Sequence, residues 1–463
     1  MEKFVFLLSL WSAKILSLLI RIFKLGQASN FPGKIALSLQ KDFLKHFILK
    51  ENCKVIVITG TNGKSTTTRF LSNALKTASK KTIFNKSGAN LLSGIATLFS
   101  TCANVFGTIS HEYIILETDE ATLPLLTDQI KINFIGITNL FRDQLDRYGE
   151  LDTTIKLIEK GINKDKDIVL ILNADDPRIA YLNSPNKKYF YGLNIIDSHI
   201  DSNGSNNKWL ADPEEITSCP KCNNILKFEK KFLAHLGNYK CPTCKLARPE
   251  LDFEITNHKT DEQTLYFDLL TKKIKSGFFT HMIGVFNLYN ALCAIACIKT
   301  VSPDTTNVHI QRSFQSYSTI FGRGEKITLE NKTSWIYLIK NPTGATEVLK
   351  TLTGIPNARF MIAINDNFAD GRDVSWLWDV RFDILSSHKK EIFVSGKRAY
   401  DMALRLKYAD ISQKQIKIND NLIKSLKDAV KSMNEQETLF ILPTYTALLE
   451  LQKRGIAKSE FLT

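Results

Sequence analysis

Proline and glycine are scarce in this 463-residue sequence, at 12 and 22, which excludes collagen-like repeats and the composition of disordered low-complexity chains. Cysteine is scarce too. Eight in a chain of this length are too few for a disulfide scaffold, and four of them fall in two tight CxxC pairs, as metal sites in reducing compartments do. A cytoplasmic protein is therefore expected. Long uncharged runs are missing as well: Lys14, Arg21 and Lys24 interrupt the apolar segment from Phe4 to Leu25, so none reaches the roughly 20 residues of a membrane span. No Ala-x-Ala cleavage pattern follows it. Lys14, Ser17, Arg21 and Lys24 recur at spacings of three and four, which puts them on one face of a helix whose remaining surface is apolar. Such a helix either packs on its own domain or lies on an anionic bilayer.

What the chain has in excess is positive charge. Its 61 Lys and Arg against 47 Asp and Glu give a formal +14, which suits a nucleotide, a nucleic acid or an acidic membrane surface as partner. The length allows two to four globular domains at roughly 100 to 200 residues each.

Lys54 to Thr59, KVIVIT, is a short β-branched run that ends at GTNGKST and continues into an amphipathic stretch from Thr66 to Ala78. That order reads as strand, phosphate loop, helix. Further apolar runs at Tyr113 to Leu116, Phe134 to Thr138 and Ile168 to Leu172 are separated by helix-compatible segments, the alternation of a doubly wound α/β sheet with chemistry at the carboxyl ends of its strands. From Asn203 to Arg248 the composition shifts to Asn, Lys, Pro and Cys, which reads as an insertion. Strands are then expected at Leu265 to Leu270 and Phe278 to Ile283, and an apolar helix at Val285 to Thr300. After a boundary near FGRGE (Phe321 to Glu325), a second α/β unit carries apolar runs at Trp335 to Ile339, Arg359 to Ile364, Glu391 to Val394 and Thr438 to Leu442.

A loop that holds phosphates needs glycines so that backbone N–H groups can approach the oxygens, a helix N-terminus behind it, and a Lys with a Ser or Thr for the terminal phosphate and Mg²⁺. Gly60, Thr61, Asn62, Gly63, Lys64, Ser65 and Thr66 supply these directly after a strand. Ile58 stands where the longer GxxxxGK[ST] pattern has its first glycine. Two CPxC knuckles, Cys219–Cys222 and Cys241–Cys244, are separated by 18 residues. Four thiolates at that spacing surround one tetrahedral Zn²⁺ and leave no open position, so the expected role is structural. The insertion lacks the regular aromatic and basic pattern of a nucleic-acid platform, and no nucleic-acid partner is expected. Clustered carboxylates, Asp366, Asp370, Asp373 and Asp379, surround a turn at Gly371 in NDNFADGRDVSWLWDVRF, where a loop after a strand can host catalysis or hold cations.

The TGTNGKS loop resembles that of the Mur ligase family, ATP-dependent enzymes that join an amine to a carboxylate through an acyl phosphate. Other family strings follow in order: ETDEA at Glu117 to Ala121, TNLFRDQLDRYG at Thr138 to Gly149, NADDP at Asn173 to Pro177, GVFNLYNALCA at Gly284 to Ala294, and FGRGE. Two departures stand out: Gln144 replaces a metal-binding His of many members, and the carbamylated Lys of several members has no match. The joint pattern of this core, the four-Cys ribbon, SNFPGKIAL at Ser29 to Leu37 and ADGRDVSWLWD is similar to the MurT family, the synthetase subunits of lipid II isoglutaminyl synthase. The similarity runs from about residue 26 to near the end of the chain.

That resemblance implies an α/β fold with a Mur ligase-like ATP-binding domain over residues 41–320 interrupted by a zinc ribbon at 203–250, a lead-in segment at 1–40, and a Rossmann-like α/β domain at 321–463. It implies ATP and Mg²⁺ held by the phosphate loop with Asn139, Asn173, Asp175, Asn287, Asn290 and Arg323, and magnesium on Ser65 with Glu117 or Glu120, Glu117 lying nearer the family's usual position. The implied reaction is amidation of the D-Glu α-carboxylate of the lipid II stem peptide. Lys64 and Glu117 would serve the chemistry, and Asp370 or Asp373 would assist the site shared with a partner. None of the eight cysteines sits on a Gly-rich elbow with a His, so ammonia is expected from a separate GatD-like glutaminase subunit. The remaining readings are a Mur-type ligase adding an amino acid to a cell-wall or folate-like acid, and a zinc-ribbon ATP-binding protein acting on nucleic acid.

Overall fold

A computed structural model describes residues 2–23, 30–85, 89–141, 151–195, 218–261, 264–316 and 323–457. Gln144, Lys24, residues 321–322 and the side chain of Arg323 lie outside that description.

The strand Lys54–Thr59 forms where the β-branched run predicts it and sits inside a nine-stranded sheet. Its neighbours are Tyr113–Glu117 on one side and Phe134–Ile137 on the other, both parallel. Thr82–Phe84 closes one edge; Val169–Asn173, Lys188–Leu193 and Phe253–Asp261 continue the parallel order on the other side, and Thr264–Thr271 and Ile274–Thr280 add an antiparallel hairpin. The last strand lies earlier than the apolar run Phe278 to Ile283 suggests, because it pairs residue by residue with Thr264–Thr271 and ends at Thr280. Alternate residues of the central strand feed two cores. Ile56 and Ile58 pack under the helices Lys64–Thr77 and Val285–Val301, while Val55 and Val57 face Ile95 and Phe99 of the helix Leu92–Cys102. A strand buried on both faces must be apolar throughout, which is why KVIVIT has no polar alternation. From Lys54–Thr59 the chain passes to Thr82–Phe84 on one side of it, and after Tyr113–Glu117 it crosses to Phe134–Ile137 on the other, so the carboxyl end of the central strand lies at a topological switch point, where α/β sheets bind ligands.

The ribbon enters between Lys188–Leu193 and Phe253–Asp261 as an antiparallel hairpin, Lys227–Leu233 with Leu236–Lys240, flanked by the two knuckles. The carboxy-terminal unit is a six-stranded sheet in the order Arg323–Leu329, Lys332–Tyr337, Thr438–Pro443, Ala358–Ala363, Ile392–Ser395, Ile416–Ile418, parallel after its first hairpin.

Candidate active site

The phosphate loop begins at Gly60, with φ +118°, and ends at Gly63, with φ +86°. Both angles are left-handed, and both positions are crowded: a Cβ on Gly63 would lie 1.9 Å from Asn290 Oδ1. Glycine is therefore required there for conformation and for space. The strand-end segment Thr138 to Phe141 clamps the loop from below. Asn139 Oδ1 accepts from Asn62 N at 2.9 Å, its Nδ2 donates to Asn62 O at 3.1 Å, and Thr138 Oγ1 donates to the same carbonyl at 2.7 Å. Thr61 N donates to Asn139 O at 2.8 Å. Opposite, Thr67 Oγ1 donates to Asn290 O at 3.3 Å, and Asn290 is held by Asn287 at 3.1 Å. The loop is fixed before any ligand arrives, with the N-terminus of Lys64–Thr77 pointing out of it.

Lys64 Nζ donates to Gly60 O and, at 3.3 Å, to Thr61 O, and pairs with Glu120 at 3.4 Å. Glu117, Asp119 and Glu120 line the same cavity as Thr61 to Thr66, and all three are buried. Asn85 pins Glu117, its Oδ1 accepting from Glu117 N at 2.7 Å and its Nδ2 donating to Glu117 O at 2.8 Å. The Ser65 hydroxyl and the carboxylates form an all-oxygen donor set at the end of a phosphate loop, which fits magnesium.

The cavity, about 530 Å³, continues along an apolar wall of Phe141, Leu233, Leu236, Met282, Phe286 and Tyr289 and is closed by the carboxy-terminal unit. Here the structure adds residues to which sequence reasoning assigns no role. Lys340 Nζ donates to Thr61 O at 3.4 Å, and Asn341 Nδ2 donates to Asn62 Oδ1 at 3.0 Å. Asn341 also caps the helix Pro342–Thr353, accepting from Gly344 N at 2.8 Å. A signal existed: Asn followed by Pro is a helix start, and a helix start beside a phosphate loop is an anion site.

The two candidate aspartates part company. Asp370 lines the cavity, accepts from Thr446 N at 2.7 Å and Thr446 Oγ1 at 2.5 Å, and burial raises its carboxyl. Asp373 is exposed, turned away to accept from Ser375 N at 2.8 Å and Ser375 Oγ at 2.9 Å.

Asn139, Asn287 and Asn290 border the cavity; Asn173 and Asp175 do not. Asn173 ties the strand ends together by donating to Thr138 O at 3.0 Å. Asp175 is wholly buried, with Arg248 Nη1 at 2.8 Å, Tyr289 OH at 2.7 Å and Leu193 N at 2.8 Å donating to it. Burial pushes its carboxyl up to about 6, with Arg248 pulling the other way.

The four ribbon cysteines place their sulfurs within 4.8 Å of one another. Two cross-knuckle pairs, Cys219 with Cys244 and Cys222 with Cys241, are 3.5 Å apart, close to the ~3.8 Å edge of a tetrahedron with Zn–S bonds of about 2.3 Å. The N–H of Asn224 brings the Cys222 thiol down to about 6, and that of Cys244 lowers Cys241. The donor set fits zinc and offers no site for a substrate.

A phosphate loop at the switch point of a doubly wound sheet, carboxylates at the next strand end and a second α/β unit closing the cavity define an ATP-dependent ligase of the Mur class. The fold matches a pseudomurein peptide ligase type C from Methanothermus fervidus with a TM-score of 0.65 at 22% identity, over 89% of this chain and 80% of that one. Residues 58–207 match the Mur ligase middle domain and residues 338–448 the MurT ligase C-terminal domain. The lipid II isoglutaminyl synthase (glutamine-hydrolyzing) subunit MurT of Streptococcus pneumoniae is 34% identical over 448 residues, 94% of this chain and 95% of that protein. The subunit of the same name from Staphylococcus aureus strain COL is 30% identical over 91% of each. The chain belongs to the MurT family.

Proposed function

We propose that this chain is the synthetase subunit of a lipid II isoglutaminyl synthase and converts the D-Glu α-carboxylate of the lipid II stem peptide to its amide, giving D-isoglutamine. A carboxylate is a poor electrophile, so it must first gain a leaving group. One carboxylate oxygen attacks the γ-phosphorus of ATP and ADP departs; ammonia then adds to the acyl carbon, loses a proton, and inorganic phosphate leaves. The cavity carries this reading, because a fixed phosphate loop, the helix start at Asn341 and the carboxyl of Asp370 all line one cleft. Lys64 and Lys340 exchange loop carbonyls for phosphate oxygens and balance the charge that grows on the transferred group. Ser65 with Glu117 or Glu120 would hold magnesium, which supplies charge neutralisation between the phosphates. Asn287 and Asn290 with the apolar wall receive the base.

Ammonia comes from elsewhere. Of the cysteines outside the ribbon, Cys53 is pushed up to about 11 by burial, Cys102 is raised by burial, and Cys297 is raised by its hydrogen bond with Cys293. Protonated thiols of this kind are poor nucleophiles for glutamine hydrolysis. A GatD-like glutaminase partner meets that need, and work on a lipid-linked substrate places the pair at the inner face of the membrane.

The test is to supply the purified chain with Mg²⁺, ATP and lipid II in detergent and read the product by mass spectrometry. Amide with ammonium but none with glutamine is expected. Addition of glycine or alanine instead would make the chain an amino-acid-adding ligase.

A further inference from the structure

The N-terminal helix Glu2–Ile22 has two apolar faces, and only one is covered. Inward, Phe6, Leu10, Ala13 and Ser17 are buried against the helices Phe31–Leu39 and Leu92–Cys102 and the turn at Phe43–His46. Phe6 meets Phe43 and Phe47 with ring centroids 5.5 and 5.1 Å apart. Outward, Phe4, Leu8, Trp11, Ile15, Leu18 and Ile22 follow one another at steps of four, three, four, three and four, and each is between 47% and 72% exposed. Those steps keep all six on one ridge about 27 Å long. Trp11 Nε1 donates to Val105 O at 2.9 Å, which joins the exposed Val105 and Phe106 to the same surface.

A continuous apolar strip of this length marks an interaction site, and its shape and charge select the partner. It is the outward ridge of a single helix, a shape that suits a deformable apolar medium. No Asp or Glu occurs between Lys3 and Phe23, and residues 1–50 hold eight Lys or Arg against two acidic side chains. Lys3 and Arg21 are exposed at the two ends of the ridge, and Lys34, Lys41 and Lys45 are exposed in the segment packed behind it. Lys14 is drawn inward by Ala103 O at 2.6 Å and leaves the strip uninterrupted. By length and hydropathy this helix qualifies as a span, yet its inner face is the wall of a folded core, so lipid can reach only one side of it.

We infer that the outward ridge of this helix, with Val105 and Phe106, docks the chain on an anionic phospholipid bilayer with the helix axis in the membrane plane. Asn30, which precedes the helix Phe31–Leu39 packed on the ridge helix, also lines the catalytic cavity. This inference rests on the amidation reading only for its purpose; the surface itself is independent of the chemistry.

The test is flotation of the full chain with vesicles of phosphatidylcholine alone and of phosphatidylcholine with phosphatidylglycerol, both free of lipid II. The parent is compared with a chain carrying Phe4→Ser, Ile15→Ser and Leu18→Ser, all three on the exposed ridge. The parent is expected to float with the anionic vesicles, more weakly with neutral ones, and the triple variant to partition about tenfold less. Amidation of detergent-solubilised lipid II should stay unchanged in the variant, while amidation of vesicle-embedded lipid II falls. A parent that ignores both vesicles, or a variant that floats as well as the parent, overturns the inference. So does a parent dimer that the substitutions dissolve, which would assign the ridge to a second copy. Loss of amidation in detergent by the parent would count against the function alone and leave flotation unaffected.

Discussion

Asp175 shows how a single buried charge can serve two modules. It belongs to the central sheet, its guanidinium partner Arg248 belongs to the ribbon, and both are shielded from water. A carboxyl whose pKa is higher folded than unfolded holds more protons in the folded state between the two values. Here that window runs from 3.8 to about 6, and stability falls as pH rises across it. Arg248→Met removes the group that limits the shift, so the window extends to higher pH. The variant should lose about 3–5 kcal/mol at pH values where Asp175 must ionise unpaired, and much less near pH 5 where it is neutral. Melting temperatures of parent and variant, taken at pH 5 and pH 8, check this; an equal loss at both would refute it. The aspartates near Gly371 make a second contrast. Asp370→Asn should lower amidation about a hundredfold and Asp373→Asn should leave it within about twofold, as expected of a surface turn residue. Initial rates with ammonium and detergent-solubilised lipid II distinguish them.

At the scale of elements, the ribbon hairpin does more than link the two cysteine knuckles. The hairpin lies between Cys222 and Cys241, and the tip returns Leu233 and Leu236 to the apolar wall of the cavity. The tip is anchored by Gly237 N donating to Asp175 O at 3.0 Å and by His235, wholly buried, 3.4 Å from Asp176 and edge-on to Phe141. Stripping zinc, or Cys241→Ser, should loosen that wall and weaken nucleotide binding about tenfold, the cost of re-exposing one or two leucines. Titration with a fluorescent ADP analogue reads this directly; unchanged affinity in metal-free, folded chain would separate ribbon from site. The element scale also shows what the sequence could reveal. KVIVIT, the glycines of the loop and the CPxC knuckles were legible because their signals are local: a β-branched run, a left-handed φ, a ligand spacing. Leu233 and Leu236 share the cavity wall with Phe286, some fifty positions further along the chain, and no local pattern encodes that. Nor could the string NADDP tell that its Asn173 and Asp175 face inward, since motif and cavity lining are separate properties of the same loop. The N-terminal helix is legible as a helix with Lys14, Ser17 and Arg21 along one stripe, but not as one that buries Ser17 and leaves an apolar ridge outside, because the rest of its surface is apolar all round.

For the molecule as a whole, the catalytic space exists only where the two α/β units meet. The phosphate loop comes from one, Lys340, Asn341 and Asp370 from the other, and the side chains of Asn341 and Lys340 reach across, Nδ2 to Asn62 Oδ1 and Nζ to Thr61 O. In ligases of this kind the unit that closes over the nucleotide sets how often the reacting groups are in register. Asn341 has two jobs that a substitution can separate. Its Oδ1 caps the helix Pro342–Thr353, and its Nδ2 reaches across to the loop. Asn341→Ala removes both, so it should lower the melting temperature through a cap loss of about 1 kcal/mol as well as slow the reaction. Asn341→Asp keeps a good capping oxygen but puts a second acceptor against Asn62 Oδ1, so the cap survives while the closed contact is opposed. The Asp variant should therefore melt close to the parent yet show a kcat lower by about tenfold, the rate equivalent of losing one buried hydrogen bond. Parent-like kcat in Asn341→Asp would mean that closure of the two units does not depend on this bridge.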